Sequence, residues 1–313
     1  MKYCTRQLAG ENGKEQRYPE EAGKRRISTG EHDRGKNMGM RIVRTVVVVI
    51  TILSFALFGI TEVIRLVNRD TSLPEITSDR EVLEIPCDYT EEQLLEGLTA
   101  SDEDDGDLTS QIIAGSFSRF IDKGVSNITY VVFDSSDQPA TLTREVRFTD
   151  YHSPRFTLTE PLVFAEEEGS YTEAINRIGA QDMLDGDLKD WITQTETDLN
   201  YQRAGSYTMT VEVSNSFGDT STVGLPVHVV SAERRTMDIE LSTSIVYIST
   251  GGSIDPDSYV QRVTDAQGNE ADAGRVNVSS NVDTQTPGVY EIHYEVSDGG
   301  STGETWLTVI VEG

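Results

Sequence analysis

The chain has 313 residues, 36% of them hydrophobic and 25% charged, with a formal net charge of −27 at neutral pH; that hydrophobic share excludes disorder throughout. The charge is unevenly divided, since residues 1–44 carry eleven Lys/Arg against six Asp/Glu and residues 71–313 carry thirteen against forty-five. A body this acidic repels nucleic acid and anionic lipid, so nucleic acid is excluded as a partner and any partner held by charge is cationic.

Residues 1–40 are rich in Gly, Lys, Arg, Glu and Gln and lack periodic apolar positions. Such a segment does not offset its ordering entropy and is predicted to be a disordered cytoplasmic tail. Residues 41–68 follow as a membrane span. Thr45 to Thr61 contains no charge, and seventeen residues at ~1.5 Å each reach roughly 25 Å. Ile42, Val43, Val63 and Ile64 lengthen the span toward the ~30 Å hydrocarbon core if Arg44, Glu62 and Arg65 snorkel to the headgroups. A cleaved signal peptide needs small residues two apart, whereas Ala56 and Gly59 stand at the wrong spacing, so an uncleaved signal anchor is expected. Lys24, Arg25, Arg26, Arg34, Lys36, Arg41 and Arg44 precede the span, which places the N-terminus in the cytoplasm and the C-terminal domains outside, in a single-pass cell-membrane protein. Cys4 and Cys87 then lie on opposite sides of the bilayer and cannot pair. Cys4 precedes the apolar run and so is not a lipoprotein cysteine. Cys87 is either a buried small hydrophobe or an intermolecular bridge.

The outer part repeats at a spacing of about 80 residues. "LTASDEDDGDLTSQI" (98–112) aligns with "IGAQDMLDGDLKDWI" (178–192), placing Asp102 with Asp182, Asp105 with Asp185, Gly106 with Gly186 and Asp107 with Asp187. A glycine then opens an alternating run in three places: Gly124 with Ile128, Tyr130 and Val132; Gly205 with Tyr207, Met209, Val211 and Val213; Gly288 with Tyr290, Ile292, Tyr294 and Val296. Alternation marks half-buried strands, and each run enters a turn rich in Asp, Ser, Asn and Gly before a second strand. Ahead of each acidic stretch, "YTEEQLLEGL", "YTEAINRI" and "DPDSYVQRV" read as short helices, the first capped by Thr90. The predicted fold is all-β: tandem immunoglobulin-like β-sandwiches over 71–150, 151–231 and a divergent 232–313, after a single N-terminal transmembrane helix.

The series A-x-D-x-x-D-G-D-L, then Gly-x-Tyr with alternating apolar residues and a Val-x-Val strand, resembles the bacterial immunoglobulin-like repeats of the Big_3 and DUF5011 type, named partly for their occurrence in a pesticidal crystal protein. The resemblance covers residues 74–230 well and 231–313 less well: "VTDAQGNEADAG" keeps Asp265 but loses Asp-Gly-Asp, and Ser126 stands where Tyr207 and Tyr290 stand in the other copies. It implies an extracytoplasmic module used for spacing, adhesion or carbohydrate contact, without catalysis of its own.

Asp102, Asp105, Asp107, Asp182, Asp185 and Asp187 have two readings. Either they bind Ca²⁺, which takes closely spaced carboxylates, or Gly106 and Gly186 supply left-handed turns while the aspartates accept backbone N–H bonds. The helix-loop-helix calcium pattern fails on spacing, and a junction site at Asp150 and Pro154 has only one carboxylate. Acid catalysis needs two carboxyls in a cleft, which a sandwich loop does not provide. No catalytic, cofactor-binding or metal residue is assigned. The motifs H-E-x-x-H, C-x-x-C and G-x-x-x-x-G-K-[ST] are absent from the sequence, and no G-x-S-x-G elbow is read, since the string Gly299–Gly303 lies in the turn "SDGGSTG" between two strands; His152, His228 and His293 read as solvent-facing or core-edge residues beside His32 of the tail. "LPEIT" (73–77) lacks the order of a sortase signal. Three modules of at least ~26 Å in a row project roughly 80 Å. The expected function is a non-enzymatic surface adhesion or spacer protein whose partners are cell-wall glycan or a surface protein. The alternative is a transmembrane sensor, or an accessory subunit of a cell-envelope enzyme.

Overall fold

A computed structural model describes residues 34–67 and 72–313, and the chain divides into two compact units, Met1–Arg69 and Asp70–Gly313. The tail expected over residues 1–33, with Cys4 and His32, lies outside the described residues. Residues 34–40, predicted as tail, are instead the opening turns of the helix Arg34–Val67. Propagation from an existing helix adds one bond per residue fixed, so a polar flank extends it readily. Within this helix, Arg41–Arg65 is long and apolar enough to cross a membrane, with a mean hydropathy of 2.4. Its three threonine hydroxyls are satisfied internally, because Thr45, Thr51 and Thr61 donate to the carbonyls of Arg41, Val47 and Phe58.

The second unit is all-β and holds three sandwiches, each with its own core. In the first, a small sheet of Glu75–Ser78, Leu98–Asp102 and Gly106–Asp107 faces a four-stranded sheet ordered Val82–Ile85, Pro139–Phe148, Val125–Phe133, Ile113–Phe117. The second repeats this with Arg155–Leu158, Ile178–Asp182 and Gly186–Asp187 against Val163–Ala165, Thr220–Val230, Gly205–Ser214 and Thr193–Thr197. The third keeps only Asp238–Leu241 paired with Val260–Thr264, against Ile245–Ser249, Ser301–Glu312, Gly288–Asp298 and Asn277–Ser280. In each large sheet the outermost early strand pairs in parallel with the last strand, as Val82 with Glu145 and Ile245 with Thr308. The strand alternation reads directly into the cores: Ile128, Tyr130 and Val132, then Met209 and Val211, then Ile292 and Tyr294 are fully buried.

Thr90 and Gln93 form a complete capping box on Glu91–Leu94, and Ser170 caps Tyr171–Arg177. In the third sandwich the predicted helix is a 3₁₀ turn, Pro256–Tyr259, capped by Asp255.

The first two sandwiches meet end to end. Phe120 packs at 4.8 Å from both Tyr151 and Phe217, and its N–H donates to the Phe217 carbonyl at 3.0 Å. The third sandwich departs from the expected row. Arg155, at the start of the second sandwich, pairs with Glu312 at the end of the third, and the Phe156 N–H donates to the Tyr247 hydroxyl at 2.7 Å. Near the other end of the second sandwich, His228 stacks on Trp306 at 3.9 Å and meets the Glu291 carboxylate at 2.5 Å. The third sandwich therefore turns back along the second, and the expected straight projection of three modules is corrected. The cause is a short link, in which Met237 already bonds to Thr302 and Arg235 bridges to Gly303, together with an indole whose second face is covered by His293 at 4.3 Å. His228, 5% exposed, is thus neither solvent-facing nor at a core edge.

Removing this indole loosens the turn-back. Trp306→Ala is expected to accelerate tryptic cleavage at Arg234 and Arg235 by roughly tenfold relative to the parent chain, as opening of the junction becomes more populated; equal cleavage rates by mass spectrometry count against the stack as the fastening.

Candidate functional site

The acidic motif forms the same loop in both copies. The strand Leu98–Asp102 ends on Asp102, whose Oδ1 accepts the N–H groups of Asp104 and Asp105 at 2.8 and 3.1 Å and the Ser72 hydroxyl at 2.9 Å. Asp182 Oδ1 accepts the N–H groups of Leu184 and Asp185, both at 2.9 Å. Gly106 and Gly186 then take φ of 76° and 75°, a left-handed conformation that disfavours a side chain. Asp107 and Asp187 each accept from the N–H two residues on, Thr109 and Lys189, at 2.9 Å. Asp105 and Asp185 reach further: their carboxylates accept the N–H groups of Ser135 and Ser216, at 2.6 and 2.5 Å, from the turns between the two long strands. The six carboxylates are engaged with backbone donors, and among the described residues no three His, Cys, Asp or Glu side chains converge on a metal position. In the third sandwich Asp265 keeps only the turn function, accepting from Gln267 and Asn269.

The copies differ at one buried position that sequence comparison passed over. Asn215 donates to Asp182 Oδ2 at 3.1 Å and to the Tyr151 hydroxyl at 2.9 Å, and Tyr151 donates to Asp219 at 2.7 Å. Asp134 occupies the corresponding turn position, since Asp134 and Asn215 bond through N–H to the carbonyls of Gln138 and Asp219 respectively, four residues on. A carboxylate there has no N–H to offer, and Asp102 Oδ2 is buried without a partner. The signal was readable as Asp134 against Asn215, but only once the turns had been aligned.

Asp150, the last residue of the first sandwich, accepts the Cys87 N–H at 2.8 Å beside the junction with the second. Burial and the Asp150 carboxylate push the Cys87 thiol up to about 12, so it is protonated and unreactive at neutral pH. Cys87 is 8% exposed and belongs to the first core, as a small hydrophobe.

A cleft of about 830 Å³ lies between the second and third sandwiches. Its lining carries Glu160, Glu168, Asp238, Glu240 and Glu304 against Arg177 and Arg235, and it includes the consecutive residues 237–241. Arg177 is already committed, donating to the carbonyls of Pro161 and Val163 at 2.7 and 3.3 Å and pairing with Glu173 and Glu160.

Residues 243–311, within the third sandwich, match the family model described as bacterial surface protein, Ig-like domain. The pesticidal crystal protein Cry22Aa of Bacillus thuringiensis is 30% identical over 223 residues, 69% of this chain; the chain spans 30% of that protein's length. Among solved structures, carbohydrate-binding module CBM51-2 with INT domains of Clostridium perfringens ZmpB, in complex with GlcNAc, matches at 17% identity and a TM-score of 0.20, covering 49% of this chain and 26% of that one. The protocadherin gammaB7 EC3-6 structure matches at 13% identity and a TM-score of 0.20, covering 78% and 76%.

Two outcomes follow from the loop chemistry. Asp134→Asn puts an amide where Asn215 serves Asp182 but gives up the bond that Asp134 Oδ2 accepts from Gln138 Nε2 at 3.0 Å; joined to Gln138→Asp, which copies Asp219 as well, it is expected to raise the melting temperature by about 2–4 °C, and a lower value by calorimetry refutes the pairing. Hydrogen bonds from the Thr109 side chain and N–H hold Asp107 below the usual 3.8, and the Cys87 N–H does the same for Asp150. For Asp102, burial raises the pKa, but the N–H groups of Asp105 and Asp104 and the Ser72 hydroxyl outweigh it and the net shift is downward. Stability from such carboxylates is fully present above the unfolded value and is lost as pH falls through the lower folded values. Melting temperature is therefore expected to be level above about pH 5 and to fall below it, less steeply in Asp150→Asn, when followed by circular dichroism.

Proposed function

We propose that this chain is a membrane-anchored, non-enzymatic surface protein whose sandwiches serve as adhesion and structural modules outside the cell, in contact with cell-wall glycan or a surface protein. The observation that carries the reading is the order of parts: an exposed apolar helix of 25 residues, Arg41–Arg65, followed by sandwiches of which the third matches a bacterial surface Ig-like model. The basic flank before the helix sets the expected orientation, with residues 71–313 outside. The motif aspartates support a structural use, since backbone donors already occupy them. The end-to-end junction of the first two sandwiches supports a spacing use, and the turned-back third supports a use in contact.

The test is made on bacterial cells producing the full chain. The protein is expected to remain in the membrane pellet after alkaline carbonate washing and to lose its sandwiches to protease added outside intact cells. Purified chain in detergent is expected to co-sediment with isolated cell walls. Protection from external protease refutes the orientation, and failure to co-sediment with walls or to bind whole cells refutes adhesion.

A further inference from the structure

The cleft between the second and third sandwiches is bordered by two sheet edges. Asp238–Leu241 is one strand of a two-stranded sheet whose other member is Val260–Thr264, and Val163–Ala165 is the outer strand of its four-stranded sheet. Successive side chains of a strand point to opposite faces, so a surface that touches only one face meets every second residue. Here Met237, Asp238, Ile239, Glu240 and Leu241 all line the cleft, which is therefore reached along the edge of the strand. An edge presents the N–H and C=O groups of alternate residues to whatever lies beside it. On the opposite wall the Arg177 guanidinium occupies the carbonyls of Pro161 and Val163, so Asp238–Leu241 is the edge left open for pairing.

Charge specifies what fits. Five carboxylates and two guanidiniums line the cleft. Glu240 pairs with Arg262 outside it and Glu304 with Arg234, while among the described residues Glu168 and Asp238 make no ion pair. Asp238 and Glu240 are exposed and stand on one face of the strand, with Ile239 buried between them. A strand laid alongside with a cation at every second residue brings those cations opposite Asp238 and Glu240, the favourable cross-strand arrangement.

We propose that this cleft binds an extended basic polypeptide segment by strand addition to Asp238–Leu241, with alternate Lys or Arg side chains directed at Asp238, Glu240 and Glu168. The inference deepens the adhesion reading by assigning it a protein partner and a place of contact.

The experiment measures binding of fluorescent Lys-Thr-Lys-Val-Lys-Thr to the full chain in detergent micelles by anisotropy. Three comparison probes are the same peptide N-methylated at alternate residues, its Glu-Thr-Glu-Val-Glu-Thr counterpart, and a glucosamine tetramer. The lysine peptide is expected to bind, the N-methylated form to bind at least tenfold more weakly, and the glutamate form not to bind. Asp238→Asn and Glu168→Gln are each expected to weaken binding about twofold to fivefold, the worth of an exposed ion pair, with unchanged melting temperatures. Equal affinity of the N-methylated peptide overturns strand addition. Binding of the glucosamine tetramer without the peptide overturns the choice of partner, and unchanged affinity in both variants overturns the site. Wall co-sedimentation measured on the same variants separates the two readings: if it persists while peptide binding is absent, the cleft assignment fails and the adhesion reading stands.

Discussion

The part of this chain beyond residue 70 carries more than three carboxylates for every cation, so ion pairing cannot satisfy most of its charge. Its folding rests on another partner for carboxylates, the backbone N–H. Asp102, Asp107, Asp182, Asp187, Asp265 and Asp283 each close a tight turn on the N–H two residues on, and Asp105 and Asp185 carry the same bond across to a separate hairpin. A charge-assisted bond of this kind is stronger than one between neutral groups. It also lets a highly acidic surface coexist with short loops whose N–H groups would otherwise turn to water.

The same preference shapes the junctions. Asp150 holds the Cys87 N–H at the boundary end of the first sandwich, and Tyr151, Asn215, Asp182 and Asp219 form a connected polar network beside the aromatic cluster of Phe120, Phe148 and Phe217. Networks of this type add rigidity when every member is satisfied. The second junction is made differently, by an indole between two imidazoles, each imidazole with its own carboxylate. A chain with two unlike junctions has one connection that sets distance and one that folds the molecule back on itself.

Much of the architecture was legible because it follows from short-range rules. Strand alternation identified Ile128, Tyr130, Met209, Ile292 and Tyr294 as core, the glycines of the acidic motif marked left-handed turns, and Thr90 marked a helix start. The turning back of the third sandwich was not legible, because it depends on Arg155 meeting Glu312 and His228 meeting Trp306, pairs separated by 157 residues in the first case and unconnected by any periodic pattern. A histidine inside a strand looks the same in sequence whether solvent, core or a neighbouring module covers it. The helix start was misplaced for a related reason: composition described residues 34–40 as polar, whereas their conformation follows from the apolar helix they continue. The cleft escaped notice altogether, since its walls come from two modules and its floor from a strand edge, neither of which leaves a signature in residue order.

The parallel pairing of early and last strands bears on how such a molecule responds to a pull. In the third sandwich Ile245–Ser249 runs beside Thr308–Glu312 in five consecutive register positions, and Val82–Ile85 runs beside Glu145–Phe148 in four. Tension applied at the two ends of a sandwich draws these strands past each other lengthwise, so the bonds of the ladder share the load at once and none is peeled open singly. Pulled in that direction, the sandwiches are closed along the line on which they are strained.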